Sequence, residues 1–309
     1  MKKIIALVLS LVLCLGTAFS LTACSGKDSF TIGVCQYMAH DSLDQATQGF
    51  EDALKELLTA AGKNYTIDVQ NATGDTSVCT TIIQNFTVQK VDLIMGNATP
   101  ALLTAANATT DIPVLGTSVT DYSDTFKGNI PANVTGTSDA VPFDQQAQMM
   151  IDTLNLAAGD KVGVLYCSNE TNSVVQYEAV KALFEAKGIV VGEYKFSEST
   201  ELQAITTTMA SECKAVYIPS DNTVAQNDDI VGNICNEKKI PVFASYGGDI
   251  SYSSLAIDYY QLGYETGKMA AQILLGEKKV EDIEIMTLTP EVTYNKELCE
   301  MLGVSVPAE

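Results

Sequence analysis

Short apolar runs alternate with longer amphipathic segments through almost the whole chain, and this alternation limits the fold more than any other feature. Phe30–Gln36, Val91–Met95, Ile112–Gly116, Lys161–Cys167, Ala215–Pro219 and Pro241–Ser245 read as buried strands, being too short and continuous for helices. Tyr65–Asn71 and Ile189–Tyr194 join them, and Leu255–Ile257 resumes a strand late in the chain. Between the strands, Leu43–Ala60 sets Leu43, Ala46, Phe50, Leu54 and Leu57 at helical spacing. The same pattern predicts helices at Ser77–Gln89, 100–107, Phe143–Leu156, Val174–Lys187, Glu201–Ser211, Val224–Glu237 and Leu262–Leu275. Repeated β-α units with apolar strands mean parallel sheets covered by helices on both faces. The expected fold class is therefore α/β, in two doubly wound parallel-sheet lobes.

A length of 309 residues suits two such lobes. No linker separates them; short crossings are expected near Ser138–Pro142, Tyr246–Ser254 and Met286–Tyr294. The implied division is 30–138 with 255–285 as lobe 1 and 139–254 with 286–309 as lobe 2. Several crossings imply a hinge, and a hinge between two α/β lobes implies a cleft that closes on something.

The first residues read as a targeting segment. Lys2 and Lys3 precede an apolar run from Ile4 to Leu15, followed by Leu21-Thr22-Ala23-Cys24. A charged start, a run too short to span a bilayer comfortably and small residues before the cut describe a secretory signal over residues 1–23. Leu-Thr-Ala-Cys resembles the bacterial lipobox, so Cys24 is expected to carry lipid, with 24–29 as anchor and tether. The body is then extracytoplasmic, held at the outer face of the cell membrane. Of the remaining cysteines, Cys35, Cys79, Cys167, Cys213, Cys235 and Cys299, no two form C-x-x-C, and free thiols are favoured over disulfides.

Composition removes several kinds of function. The 38 acidic and 18 basic residues leave a formal charge of −20, which repels nucleic acid. Removing residues 1–23 takes two lysines and no acids, so the charge becomes 16 − 38 = −22. Every basic residue is lysine, so a ligand carboxylate must be met by backbone N–H groups, hydroxyls, amides or lysine. His40 is the lone histidine and Trp is absent. Catalysis on a His pair and multi-His metal sites are excluded by counting; no enzyme activity, cofactor or metal is expected, and the chain is expected to be a monomer. Gly263-Tyr264-Glu265-Thr266-Gly267-Lys268 has three residues between its glycines where a phosphate loop needs four. His40, Asp41 and Asp44 are more simply read as the start of a helix than as metal ligands.

In open α/β sheets, ligands sit beyond the carboxyl ends of the strands. Those positions hold Gln36, Tyr37, Asn97, Thr99, Thr117 and Ser118 in the first lobe, and Ser168, Asn169, Glu170, Asp221, Asn222, Tyr246 and Gly247 in the second. Hydroxyls, amides and helix N-termini suit an α-carboxylate. Asp221 and Glu170 are the candidates for a ligand ammonium, and Tyr37 and Tyr246 for a sandwich around a side chain. The Ser, Thr, Asn and Asp residues among them are also common helix caps.

Several stretches in order carry a family resemblance: LDQATQGFEDALKEL from Leu43, VDLIMGNATP from Val91, IPVLGTSVTD from Ile112, NVTGTSD from Asn133, KVGVLYCSNETNSVVQ from Lys161, VYIPSDNTVA from Val216, IPVFAS from Ile240 and DYYQLGYETGKMAAQILLGE from Asp258. The chain resembles the uncharacterised-transporter family of periplasmic binding proteins of ABC importers, whose better-known members bind tryptophan and its relatives. That resemblance implies a type I periplasmic-binding-protein fold joined by a multi-crossing hinge, an aromatic amino acid as ligand and a membrane permease as partner. Asp121-Tyr122 stands where the family usually has Asp-Pro, and Tyr246-Gly247-Gly248 replaces a bulkier, more polar turn. Branched-chain amino acids, other small solutes and a sensor role that presents ligand to a receptor remain open alternatives.

Overall fold

The computed structural model describes residues 27–306. Residues 1–23, read from the sequence as a signal, and Cys24 lie outside the described residues. Lobe 1 contains β1 (Ser29–Gln36), α1 (Asp41–Ala60), β2 (Asn64–Asn71), α2 (Thr76–Gln89), β3 (Leu93–Asn97), α3 (Thr99–Ala108), β4 (Val114–Val119), α4 (Tyr122–Thr125) and β5 (Val134–Ser138). Lobe 2 follows with α5 (Phe143–Leu154), β6 (Lys161–Cys167), α6 (Thr171–Ala186), β7 (Val190–Phe196), α7 (Leu202–Glu212) and β8 (Ala215–Ile218). It continues through α8 (Asn222–Gln226), α9 (Asp228–Glu237), β9 (Val242–Ala244) and β10 (Ser253–Ala256). The chain then returns to lobe 1 with α10 (Tyr259–Leu274) and β11 (Met286–Thr287), and ends in lobe 2 with β12 (Glu291–Tyr294) and α11 (Lys296–Leu302).

Both large sheets are parallel, as the apolar strands require. The first runs β11-β5-β4-β3-β1-β2 and the second β7-β6-β8-β9. In each, the strand order reverses beside the first strand of the lobe, between β1 and β3 and between β6 and β8. Such switch points open crevices at the strand ends. Alternate residues fill two helix-covered layers on each sheet. Ile32, Val34, Leu93 and Met95 face Phe50, Leu54 and Ala270, while Cys35 and Ile94 face Ile83, Phe86 and Leu102.

Three details differ from the sequence reading. Val134–Ser138, with alternating Thr, Gly and Ser, was not expected to be a strand, yet it is a central one. The helix expected over 224–237 breaks at Asn227 into α8 and α9. The last strands make an antiparallel ribbon, β10 with β12, in a fold otherwise built from parallel pairs.

The ribbon also moves two boundaries. Tyr252 and Leu255 are buried in the core of lobe 2, with Tyr252 packed edge-on against Phe243 at 6.3 Å. The second crossing thus falls at Ile257–Asp258, later than the expected 246–254. Met286 and Thr287 pair with Thr137 and Ser138, which puts them in lobe 1 and the third crossing after them.

Helix α10 is what draws the chain back. It lies directly on α1 because glycines remove the side chains between them. A Cβ on Gly263 would overlap the Ala46 carbonyl oxygen, one on Gly49 would overlap that of Tyr260, and one on Gly267 would come within 2.6 Å of Ala53 Cβ. Gly263→Ala should therefore cost about 3 kcal/mol and lower the thermal midpoint by roughly 6–10 °C. Gly232→Ala in α9, where the nearest atom lies 3.6 Å from the new Cβ, should leave the midpoint unchanged or raise it. Thermal unfolding followed by circular dichroism measures both.

Candidate functional site

The strand ends of both lobes face each other across a narrow cavity, and two hydrogen bonds span it. His40 Nε2 lies 3.2 Å from Asn222 Oδ1, and Gln176 Nε2 donates to Thr120 Oγ1 at 3.2 Å. Asn222 Nδ2 is committed to Glu170 at 2.6 Å, which leaves Oδ1 as the acceptor and makes His40 the donor. Burial lowers the His40 pKa, opposed by the Asn222 bond and by Glu170, Asp44 and Asp41, so the neutral imidazole fits this role.

Of the expected residues, Ser118, Asp221, Asn222 and Tyr246 line the cavity, and Gly247 lines the wider mouth outside it. The others hold the scaffold. Gln36 Nε2 donates to Met38 O and Asp44 Oδ1, and its Oε1 accepts from Thr47. Tyr37 donates to Gly74 O at 2.9 Å from within the core, so it forms no part of a sandwich. Asn97 Nδ2 donates to Leu43 O and Thr47 Oγ1, while Thr117 Oγ1 meets Thr137, which bonds in turn to Thr266 of α10. Ser168 and Asn169 bond to Phe196 O and Ser197 O, and Asn169 and Thr99 border a separate uncharged groove.

The two carboxylates expected to hold an ammonium are spent within lobe 2. Glu170 accepts from the backbone N–H groups of Asn222 and Thr223, from their side chains, and from Asn172 Nδ2. Asp221 accepts from Cys167 N at 2.6 Å and Val224 N at 2.9 Å. Burial, then the neighbouring Glu170, raises the Asp221 pKa. Both acids cap the short helix α8, and they occupy the N–H groups that a ligand carboxylate would otherwise find there.

A different acid keeps an unpartnered oxygen at the cavity. Asp139, on the first crossing, is 5% exposed and accepts from Tyr259 of α10 through Oδ2 at 2.9 Å. Its Oδ1 is buried with no partner. Among the described residues, seven side-chain polar atoms are buried and unpartnered; four of them, Ser118 Oγ, Asp139 Oδ1, Asn172 Oδ1 and Tyr246 OH, border this one cavity. An orphaned buried polar group costs about 1–3 kcal/mol, and native structures hold few. Four around one space mark a place that a polar ligand completes. Ser118 reaches it from a left-handed backbone, φ 56°.

Outside the cavity, Asp41, Asp228, Asp229, Asp249, Asp258 and Glu291 line the mouth with no lysine among them. A net anion is disfavoured at such an opening, while a ligand presenting an ammonium is not. The described residues contain no group of three or more side chains suited to hold a metal ion. All six cysteines present are buried free thiols, in line with the sequence reading.

Sequence reasoning missed His40, Thr120, Asp139, Asn172 and Tyr259 as lining residues. Signals existed: Asp139 closes NVTGTSD, Asn172 lies inside SNETNS, and Tyr259 belongs to DYYQLG.

The ABC transporter substrate binding protein family model matches residues 31–309. The tyrosine-binding protein of Clostridioides difficile (strain R20291) is 34% identical over 328 residues, spanning 98% of this chain and 93% of its own. An ABC domain from Streptococcus pneumoniae, solved in complex with L-Trp, is 32% identical and superimposes with a TM-score of 0.81 over 89% of this chain and 96% of its own. The ligand-free, open structure of a Clostridium difficile substrate binding protein with adhesive properties is 33% identical, yet reaches 0.67 over 90% of this chain and 96% of its own.

Burial raises the Asp139 pKa against the opposing hydrogen bond from Tyr259, so the ligand-free fold holds a proton there more tightly than the unfolded chain does. Stability from that group is present below the ordinary carboxyl range, about pH 4, and is lost as pH rises through the folded value. Asp139→Asn should therefore gain on wild type in unfolding free energy as pH rises from the ordinary carboxyl range, about pH 4, measured by urea unfolding. A pH-independent difference would contradict this.

Proposed function

The chain belongs to the ABC transporter substrate-binding protein family, and on that premise we propose that it captures an aromatic amino acid between its lobes and delivers it to a membrane permease. Proteins of this family bind solutes, and they act outside the cytoplasm. The body is held at the membrane by lipid on Cys24 and works as a monomer. The observation that carries the ligand class is the buried, unpartnered Oδ1 of Asp139, facing a space with no lysine in its lining, where the other acid, Asp221, has both oxygens bonded to backbone N–H groups.

In this reading the ligand ammonium sits between Asp139 Oδ1 and Asn172 Oδ1. Its carboxylate, with no arginine available, turns to the Ser118 hydroxyl and the first N–H groups of α6. The rings of Tyr246 and Tyr259 with Leu43 and Ala225 form apolar walls for the side chain. Tyrosine and tryptophan are the ligands named for two relatives, and both offer the flat apolar surface those walls suit.

Binding and closure are one event. Ligand touches both lobes only when the cleft is shut, so its extra affinity for that form drives closure. The His40–Asn222 and Gln176–Thr120 bonds close the cleft in this structure. At nearly equal identity, the chain superimposes better on the L-Trp complex than on the open, ligand-free relative, which supports the same reading.

Isothermal calorimetry on residues 25–309, refolded free of ligand, tests this. Tyrosine, tryptophan or phenylalanine should bind, and Asp139→Asn should lose about 3 kcal/mol, roughly 100-fold in affinity. Because the ammonium favours ionised Asp139, binding should release a proton at mildly acidic pH, above the ordinary carboxyl range and below the raised value. Absence of heat with all three, or an unaffected Asp139→Asn, would overturn the proposal.

A further inference from the structure

The four residues that carry the unpartnered atoms divide between the cavity and its mouth, and this division gives the cavity a direction. Ser118, Asp139 and Asn172 border the cavity and not its mouth, whereas Tyr246 borders both, as do His40 and Tyr259. A zwitterion held at Asp139 therefore occupies the deep end, and its side chain points back toward Tyr246. There the phenol oxygen is buried without a hydrogen-bond partner. Neither Asp228 nor Asp221, the acids near it, forms a hydrogen bond with it.

The Tyr246 ring is held by its turn. Gly247 N donates to Ala244 O at 3.0 Å, and Gly247 and Gly248 follow with φ of 83° and 81°, a pair of left-handed conformations that side chains rarely adopt. This is the turn at which the sequence departs from the resembled family. Burial keeps the phenol protonated, with Asp228 and Asp221 acting in the same direction, so it both donates and accepts.

Resting on the proposed amino-acid site, we propose that Tyr246 reads the ligand's ring: its hydroxyl bonds a polar group on the aromatic side chain, a phenol O–H or an indole N–H, and so selects against phenylalanine. A site built to hydrogen bond a ligand group rejects the analogue without it, because the protein's own group is then left buried and unpaired.

Dissociation constants for L-tyrosine, L-tryptophan and L-phenylalanine with wild type and Tyr246→Phe test the assignment. In wild type, tyrosine or tryptophan should bind at least roughly 10-fold tighter than phenylalanine. Tyr246→Phe should weaken that preferred ligand by a similar factor and leave phenylalanine within about 2-fold. Which of the two loses affinity identifies the phenol or the indole as the group read. The ligand-free thermal midpoint of Tyr246→Phe should be unchanged or higher, since the variant removes an unsatisfied hydroxyl; a marked fall would overturn the premise. Equal weakening of all three ligands would place the hydroxyl at the amino-acid end and overturn the inference while leaving the proposed function intact, as would phenylalanine matching the other two in wild type. No binding of any of the three would remove the proposed function and this inference with it.

Discussion

One hydrogen bond, from Tyr259 to Asp139, ties hinge and site together. It joins the first crossing between the lobes to the start of α10, just past the second, and it satisfies one oxygen of a carboxylate that has no cation nearby. The other oxygen stays buried and unpaired. A carboxyl in that position is costly in the empty protein and is relieved by a cation that arrives. In the proposed site that geometry favours an ammonium at the point where the two lobes are joined, and on this proposal recognition is coupled to the relative placement of the lobes.

Most of the fold was legible in the sequence, because apolar runs of strand length report burial on both faces directly. What was lost followed from one weakness of that signal. Val134–Ser138 carries Thr, Gly and Ser where a buried strand usually carries Val and Ile, so it did not read as a strand. Asp139, immediately after it, was then absent from the list of strand-end residues, although it is the acid that matters most. The small side chains have a reason: Thr135 and Thr137 bond to Ile283 O and Thr266, bringing the returning segment against the sheet. Polar residues did structural work in an apolar layer and hid the strand.

The site residues show the opposite confusion. Glu170, Asp221, Gln36, Asn97 and Thr117 sit where ligand groups belong in such folds, yet their polar atoms are mostly consumed by their own lobe. Residue type and position do not distinguish a cap from a ligand contact; only the hydrogen-bond inventory does. Glu170 and Asp221 are the clearest cases, because a helix as short as α8 has no stability of its own and depends on the anions at its start. Ser118 and Tyr246 differ in having an atom left over on the cavity itself, whereas the unpartnered Oδ1 of Asn97 belongs to a residue outside the cavity lining. The absence of arginine was the most useful compositional fact, since it leaves hydroxyls, amides and backbone N–H groups to meet a carboxylate in a cavity without lysine.

The central claim is that an aromatic amino acid completes this cavity, and the missing tryptophan gives it a direct test. With no indole in the protein, fluorescence excited on the indole band comes from L-tryptophan alone, and its emission position separates bound from free ligand. Titrating ligand-free protein into tryptophan should produce a saturable blue shift, as the ring leaves water for the walls of Tyr246 and Tyr259, and excess tyrosine should reverse it. Emission that stays at the position of free tryptophan throughout, together with no binding heat from tyrosine or phenylalanine, would contradict the claim.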